Sequence, residues 1–140
     1  MEVQEAILRT VSLSVCAVLV FTTSALSQPS TSLDGTWVGR MTMAAGRAGE
    51  VEMTVRGTAG KWQVYRSTGS AGFQMRDDPC LDRAHPIAIT QDASDRYRVV
   101  VQASKTLSSC RDSLVDSTLV EPNRIEGKFA GGRELSLKRK

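Results

Sequence analysis

Residues 50–66, EVEMTVRGTAGKWQVYR, contain the pattern that decides the fold. From residue 51 to 55 every second side chain is apolar and those between are polar or charged, which is the alternation of a strand with one buried face. Residues 57–60 (GTAG) are typical of a hairpin turn. Trp62 and Val64 then resume the alternation. The stretch therefore predicts two strands that form an antiparallel β-hairpin.

The same alternation recurs along the chain, and no segment carries a helical stripe longer than two turns. Since an open meander of this length would leave two long edges unpaired, we expect the sheet to close on itself. We predict an all-β fold, an eight-stranded antiparallel up-and-down barrel, with a two-sheet β-sandwich as the alternative. The predicted strands are residues 37–43, 50–56, 61–66, 87–89, 96–103, 114–120, 125–129 and 135–137.

Composition limits the class of protein. The chain has 140 residues, of which 41% are hydrophobic, 24% charged and 5% aromatic, and its net charge is +3. This length holds one domain at most. The even spread of apolar residues excludes a disordered, collagen-like or polytopic membrane protein. Basic residues alternate with acidic ones instead of forming a stripe, so no nucleic-acid partner is expected.

An apolar run near the start of the chain has the character of a secretory signal. Residues 11–21 (VSLSVCAVLVF) follow Arg9 and precede small polar residues, which is the order of a signal peptide. The run is too short to span a bilayer as a helix. Ala25 and Ser27 are the small residues that a signal peptidase requires. We predict a signal peptide at residues 1–27.

Cleavage before Gln28 divides the chain into three parts. The predicted mature protein has a flexible leader at residues 28–34, rich in Ser, Thr and Pro, and a β-barrel domain at 35–140. We expect it to be periplasmic or secreted, without a membrane span after cleavage. An uncleaved anchor is the alternative.

Cysteine positions predict one disulfide. The chain has three Cys, and Cys16 leaves with the predicted signal peptide. Cys80 and Cys110 remain, and two cysteines in an oxidising compartment pair. Closing a loop of this size stabilises a domain by roughly 3–4 kcal/mol in the chain-entropy model. No CxxC motif is present, so neither a redox role nor a zinc role is expected.

The start of the first strand resembles a known family. Asp34-Gly35-Thr36-Trp37 is similar to the G-x-W opening of the calycins, the group of lipocalins and avidins. The resemblance implies that Trp37 plugs the closed end of the barrel and that an Arg of the last strand, here Arg139, lies across it. Gly39 and Met43 stand where avidins have a ligand-binding Asn and Ser, so biotin binding is not expected.

A second resemblance concerns bacterial secreted inhibitors of metalloproteases and lysozymes. These are periplasmic, disulfide-bonded proteins of similar length, often β-barrels. The leader before a G-x-W strand and the basic end of the chain, residues 137–140 (LKRK), resemble the metalloprotease inhibitors. The cysteines lie elsewhere, because those of the inhibitors are near the first strands. The likeness is one of size, compartment and design.

Few residues offer catalytic chemistry. His85 is the sole imidazole of the chain, and no G-x-S-x-G motif supplies a nucleophile for it. Residues 68–72 (TGSAG) lack the leading Gly of that motif. Residues 57–61 (GTAGK) lack the spacing of a phosphate-binding loop. We therefore expect no enzyme, no catalytic residue and no cofactor, with His85 capping a loop where a strand begins.

Three acids surround Cys80. Asp77, Asp78 and Asp82 carry the oxygen ligands that calcium prefers. Arg76 and Arg83 flank them and neutralise the cluster, so we expect no metal there.

The longest irregular stretch is the predicted binding surface. Residues 69–83 are tied through Cys80 to the turn at 108–112, and rigid loops on a barrel rim are common binding sites. We predict a monomeric, inhibitor-like module that binds a protein or cell-envelope component. The predicted contact residues are Phe73, Gln74, Met75 and Arg76.

The alternative function is a carrier with a small apolar ligand inside the barrel. The interior volume discriminates between the two, because ligand pockets usually exceed about 300 Å³. Predicted gaps lie at Gly39, Ala103 and Gly127. The predicted inward side chains, which favour a filled barrel, are Trp37, Met53, Trp62, Tyr97 and Phe129.

Overall fold

The computed structural model describes residues 32–43, 48–65 and 78–140, and these form a closed antiparallel barrel of eight strands in up-and-down order. The prediction of a barrel is confirmed over the two-sheet alternative, because β8 pairs with β1 and completes the ring. The strands are β1 Gly35–Thr42, β2 Ala48–Arg56, β3 Ala59–Tyr65, β4 His85–Gln91, β5 Arg96–Val101, β6 Ser113–Glu121, β7 Arg124–Phe129 and β8 Glu134–Arg139.

The barrel has two ends of different construction. We name one the Trp37 end: there β1 begins, β8 finishes, and short turns at residues 57–58, 92–95 and 122–123 join the hairpins. We name the other the disulfide end. Its connections include residues 66–84 and 102–112, which are the ones that contain Cys80 and Cys110. Both termini of the described barrel therefore lie at the Trp37 end.

The interior is packed with the alternate side chains of all eight strands. The predicted inward residues are buried, and Trp37, Val115 and Leu137 have no exposed surface. Such packing excludes water from the centre of the barrel and supplies most of the apolar surface buried on folding. The buried residues whose side chains the sequence analysis placed inside are Trp37, Met53, Trp62, Tyr97 and Phe129.

Gly39 does not leave the gap that the sequence suggested. A Cβ at this position would lie 2.0 Å from the Ser136 carbonyl oxygen, so the backbone of β8 already occupies the space. Gly60 has the same relation to β2, with the Thr54 carbonyl oxygen 2.0 Å from its would-be Cβ. Glycine at such positions lets a strand bend sharply at a barrel corner. These residues serve closure of the sheet.

The fifth strand is shorter than predicted. Alternation of apolar residues suggested a strand through Ala103, but β5 ends at Val101 and Ala103–Lys105 form a 3-10 turn. The reason is local hydrogen bonding: the Thr106 and Leu107 amides both donate to the Ala103 carbonyl oxygen. Ala103 remains buried, with its side chain in the core. Burial without a ladder partner thus produced the same pattern as a strand.

The predicted signal peptide lies outside the described residues, as does the leader as far as residue 31. Its last residues belong to the packed structure, since Leu33 is only 4% exposed. The predicted flexible leader therefore does not extend to residue 34. In the described part of the chain, no helix has the length and apolar character needed to cross a membrane.

Candidate functional site

Trp37 and Arg139 close one end of the barrel. They face each other in the register of β1 and β8, and the guanidinium carbon lies 4.3 Å from the centroid of the indole ring. The indole Nε1 donates to the Leu33 carbonyl oxygen at 2.7 Å. This acceptor explains why the leader packs against the core, because a buried indole N–H needs a partner.

Arg139 also binds backbone carbonyl groups around the Trp37 end. Its guanidinium donates to the carbonyl oxygens of Asp34, Ser32 and Pro122. The nearby Asp34 carboxylate accepts the Gly57 amide hydrogen at 2.6 Å. This hydrogen bond is the main reason that the pKa of Asp34 lies below its usual value, with help from Ser32 and Arg139. The polar groups here bind one another, so this end has a structural role.

The predicted disulfide joins the two longest described connections at the opposite end. The sulfurs of Cys80 and Cys110 are bonded at 2.07 Å and their Cα atoms are 5.8 Å apart. Cys110 is buried in the core, and its amide donates to the Leu107 carbonyl oxygen. The bond therefore fastens one connection to a turn that already packs on the barrel.

His85 lies beside this disulfide, inside the mouth of the barrel. It begins β4, is paired with Trp62 of β3, and is 3% exposed. Its Nε2 lies 2.8 Å from the Cys80 carbonyl oxygen. Because a carbonyl oxygen only accepts, Nε2 carries the proton. His85 thus holds the loop at Cys80, while its Nδ1 is buried without a hydrogen-bond partner.

A cavity of about 190 Å³ opens at the disulfide end. Its apolar lining includes Trp62 and Phe129, whose rings meet edge to face with centroids 6.0 Å apart. The polar lining includes His85, Arg111 and Arg133, and the Arg133 guanidinium lies 4.9 Å from the Phe129 centroid. The cavity is smaller than the usual ligand pocket of at least about 300 Å³.

A larger hollow of about 820 Å³ lies on the outer wall, across β1, β6, β7 and β8. Its lining mixes cations and carboxylates, and Lys128 and Glu134 approach each other there at 4.0 Å. Val120, 40% exposed, is its largest exposed apolar side chain. Charges of both signs in solvent define no single class of ligand, so the smaller cavity is the better candidate.

The predicted contact residues Phe73, Gln74, Met75 and Arg76 lie outside the described residues, as does Asp77. Of the other acids near Cys80, Asp78 accepts the Cys80 amide hydrogen at 2.9 Å. Asp82 has a φ of 53° and its amide donates to the Val64 carbonyl oxygen. In residues 32–43, 48–65 and 78–140, no group of three or more His, Cys, Asp or Glu is placed to hold a metal ion.

The cavity brings together residues that sequence reasoning did not connect. Trp62 and Phe129 were predicted to point inward, but their contact depends on closure of the barrel between β3 and β7. Arg111 and Arg133 lie in connections, where strand alternation gives no direction for a side chain. The signal that was available is the single His at the start of a strand, next to a predicted disulfide.

Neither a protein-family model nor a curated protein sequence matches the chain. A solved structure of a redesigned beta barrel is similar to it, with 20% sequence identity and a TM-score of 0.47. The match covers 79% of this chain and 95% of the designed one.

Proposed function

We propose that the protein is an extracytoplasmic binding module and that its disulfide end recognises a protein or cell-envelope partner. One observation carries the proposal: the Cys80–Cys110 bond fastens two connections to each other beside the cavity. A covalently fixed loop loses little conformational entropy on binding, which favours affinity. Stable disulfides also belong to oxidising compartments, in agreement with the predicted signal peptide.

The proposed module binds its partner without catalysis. His85 has its Nε2 engaged with a backbone carbonyl oxygen instead of a nucleophile. Buried side chains occupy the centre of the barrel, and the cavity at its mouth is about 190 Å³. These observations favour surface recognition over a carrier that encloses its ligand.

The test is capture of a partner from envelope extracts by immobilised protein. We expect Phe73→Ala/Arg76→Ala and Arg111→Ala to reduce the captured material at least tenfold. Arg96→Ala, an exposed arginine at the Trp37 end, is the matched control and should capture as the wild type does. Each variant must keep the β-sheet circular-dichroism spectrum of the wild type. Loss of capture by Arg96→Ala alone would place the binding surface at the other end and refute the proposal.

A further inference from the structure

The buried Nδ1 of His85 needs a hydrogen-bond donor. Because Nε2 donates to the Cys80 carbonyl oxygen, the neutral imidazole holds its lone pair at Nδ1. This atom has no partner, although its ring lines the cavity. Buried polar atoms in native proteins nearly always have a partner. A ligand that presents an N–H group to the cavity satisfies this requirement.

Two guanidinium groups line the same cavity. Arg111 and Arg133 form no ion pair within the part of the chain that the structure describes. The Asp78 carboxylate, which also lines the cavity, accepts the Cys80 amide hydrogen. The cavity therefore has an excess of positive charge. Planar guanidinium groups bind carboxylates through parallel hydrogen bonds, so an anionic carboxylate is the favoured ligand.

The floor of the cavity is apolar. Trp62 and Phe129 form it together with Met41 and Val101. Its volume of about 190 Å³ is the space of about six water molecules at about 30 Å³ each. One compact apolar side chain fits such a space, whereas a long acyl chain does not.

We propose that this cavity binds an N-acylated amino acid with an apolar side chain and a free carboxylate, the group found at the carboxyl end of a peptide. The carboxylate binds Arg111 and Arg133, the amide N–H donates to His85 Nδ1, and the side chain packs on Trp62 and Phe129. The inference rests on the proposed function and names the chemistry that the disulfide end recognises. All five residues belong to the described part of the chain.

The first experiment compares ligands on the unaltered protein. N-acetyl-leucine should bind saturably, as measured by the fluorescence of Trp62 and by calorimetry. N-acetyl-leucinamide, which lacks the carboxylate, should bind about 10- to 100-fold more weakly, the loss expected for a hydrogen bond to a charged group. 4-Methylpentanoate, which lacks the N–H, should bind about tenfold more weakly. Equal affinities of acid and amide, or no saturable binding, would overturn the proposal.

Nitrogen NMR of the single imidazole supplies a direct readout. N-acetyl-leucine should shift the Nδ1 resonance of His85, since that atom becomes a hydrogen-bond acceptor, and leave Nε2 nearly unchanged. Binding without this shift would refute the assignment of the N–H group to His85. The peptide Ala-Ala-Leu with a free carboxyl distinguishes the source: tighter binding than N-acetyl-leucine points to a chain terminus, and weaker binding to a free small acid.

Variants then assign the contacts. Arg111→Gln should weaken N-acetyl-leucine binding at least tenfold, whereas Arg96→Gln should leave it unchanged. In His85→Gln the side-chain amide retains a donor for the Cys80 carbonyl oxygen and loses the Nδ1 acceptor, so acid and 4-methylpentanoate should bind equally. Should the acid fail to bind while Phe73→Ala/Arg76→Ala still abolishes partner capture, the ligand chemistry is wrong and the proposed function stands.

Discussion

At the Trp37 end the hairpins turn at residues 57–58, 92–95 and 122–123, whereas at the disulfide end the connections span residues 66–84 and 102–112. The short turns leave few backbone groups unpaired, and Arg139 binds the nearby carbonyl groups. The longer connections are held by a covalent bond, and they leave Nδ1 of His85 without a partner. One end is stabilised by internal hydrogen bonds; the other retains groups able to bind a ligand.

The largest expected effect concerns the Trp37 end. Trp37→Ala should lower the free energy of unfolding by about 3–5 kcal/mol, because it removes a fully buried aromatic side chain and leaves a cavity. Chemical denaturation monitored by circular dichroism measures it. Phe129→Ala at the disulfide end, where the ring borders an existing cavity, should cost less. An equal or larger loss for Phe129→Ala would contradict the view that stability is concentrated at the Trp37 end.

The second prediction concerns the disulfide. Cys80→Ala/Cys110→Ala should lower the free energy of unfolding by roughly 3–4 kcal/mol, since the bond closes a loop with a sequence separation of 30. Hydrogen exchange should show where the loss acts. The Gln102 and Cys110 amides should exchange faster, while the Lys140 amide at the Trp37 end should be less affected. A uniform increase across both ends would mean that they do not open independently.

Much of this construction follows from the sequence, for reasons visible in single elements. Alternation from residue 51 to 55 is sufficient to predict β2, and counting along β1 and β8 places Arg139 beside Trp37. The strand predicted at residues 87–89 extends in the structure from His85 to Gln91. Backbone pairing with β3 adds these residues, and the alternation of apolar side chains does not report such pairing.

The candidate site was less predictable, because it depends on distances between elements far apart in sequence. The disulfide followed from elimination, but the cavity beside it requires the closed barrel. Gly39 shows the same limit: a missing side chain suggests empty space, and only the position of the Ser136 carbonyl oxygen shows that the space is filled. Sequence patterns give the direction of side chains in strands, and they do not give the separation of backbones.

A smaller effect is expected for Arg139. Arg139→Gln should lower the free energy of unfolding by about 1 kcal/mol, since the guanidinium lies over the Trp37 ring near the surface. Thermal unfolding in low and high salt measures it, and Arg133→Gln, over the Phe129 ring, is the matched comparison at the disulfide end. A larger loss for Arg133→Gln would reverse the structural roles assigned to the two arginines.

The smallest effect is a pH dependence shared by both ends. A backbone hydrogen bond lowers the pKa of Asp34 through the Gly57 amide and that of Asp112 through the Ser104 amide. Each carboxylate therefore stabilises the fold above its unfolded pKa of about 3.9, and this contribution is lost as the pH falls through the lower folded pKa. Asp34→Asn and Asp112→Asn should each flatten the acid limb of a stability-against-pH curve. An unchanged limb in both would contradict the assignment.

Pairing of β1 with β8 has a consequence for how the molecule is oriented when it is attached to something else. The Lys140 amide donates to the Thr36 carbonyl oxygen, and Arg139 binds the Ser32 carbonyl oxygen, so the chain enters and leaves the barrel side by side. A tether, an affinity tag or a fusion partner at either terminus therefore presents the disulfide end outward. The same adjacency allows the termini to be joined by a short linker and the chain reopened elsewhere, as in circular permutation.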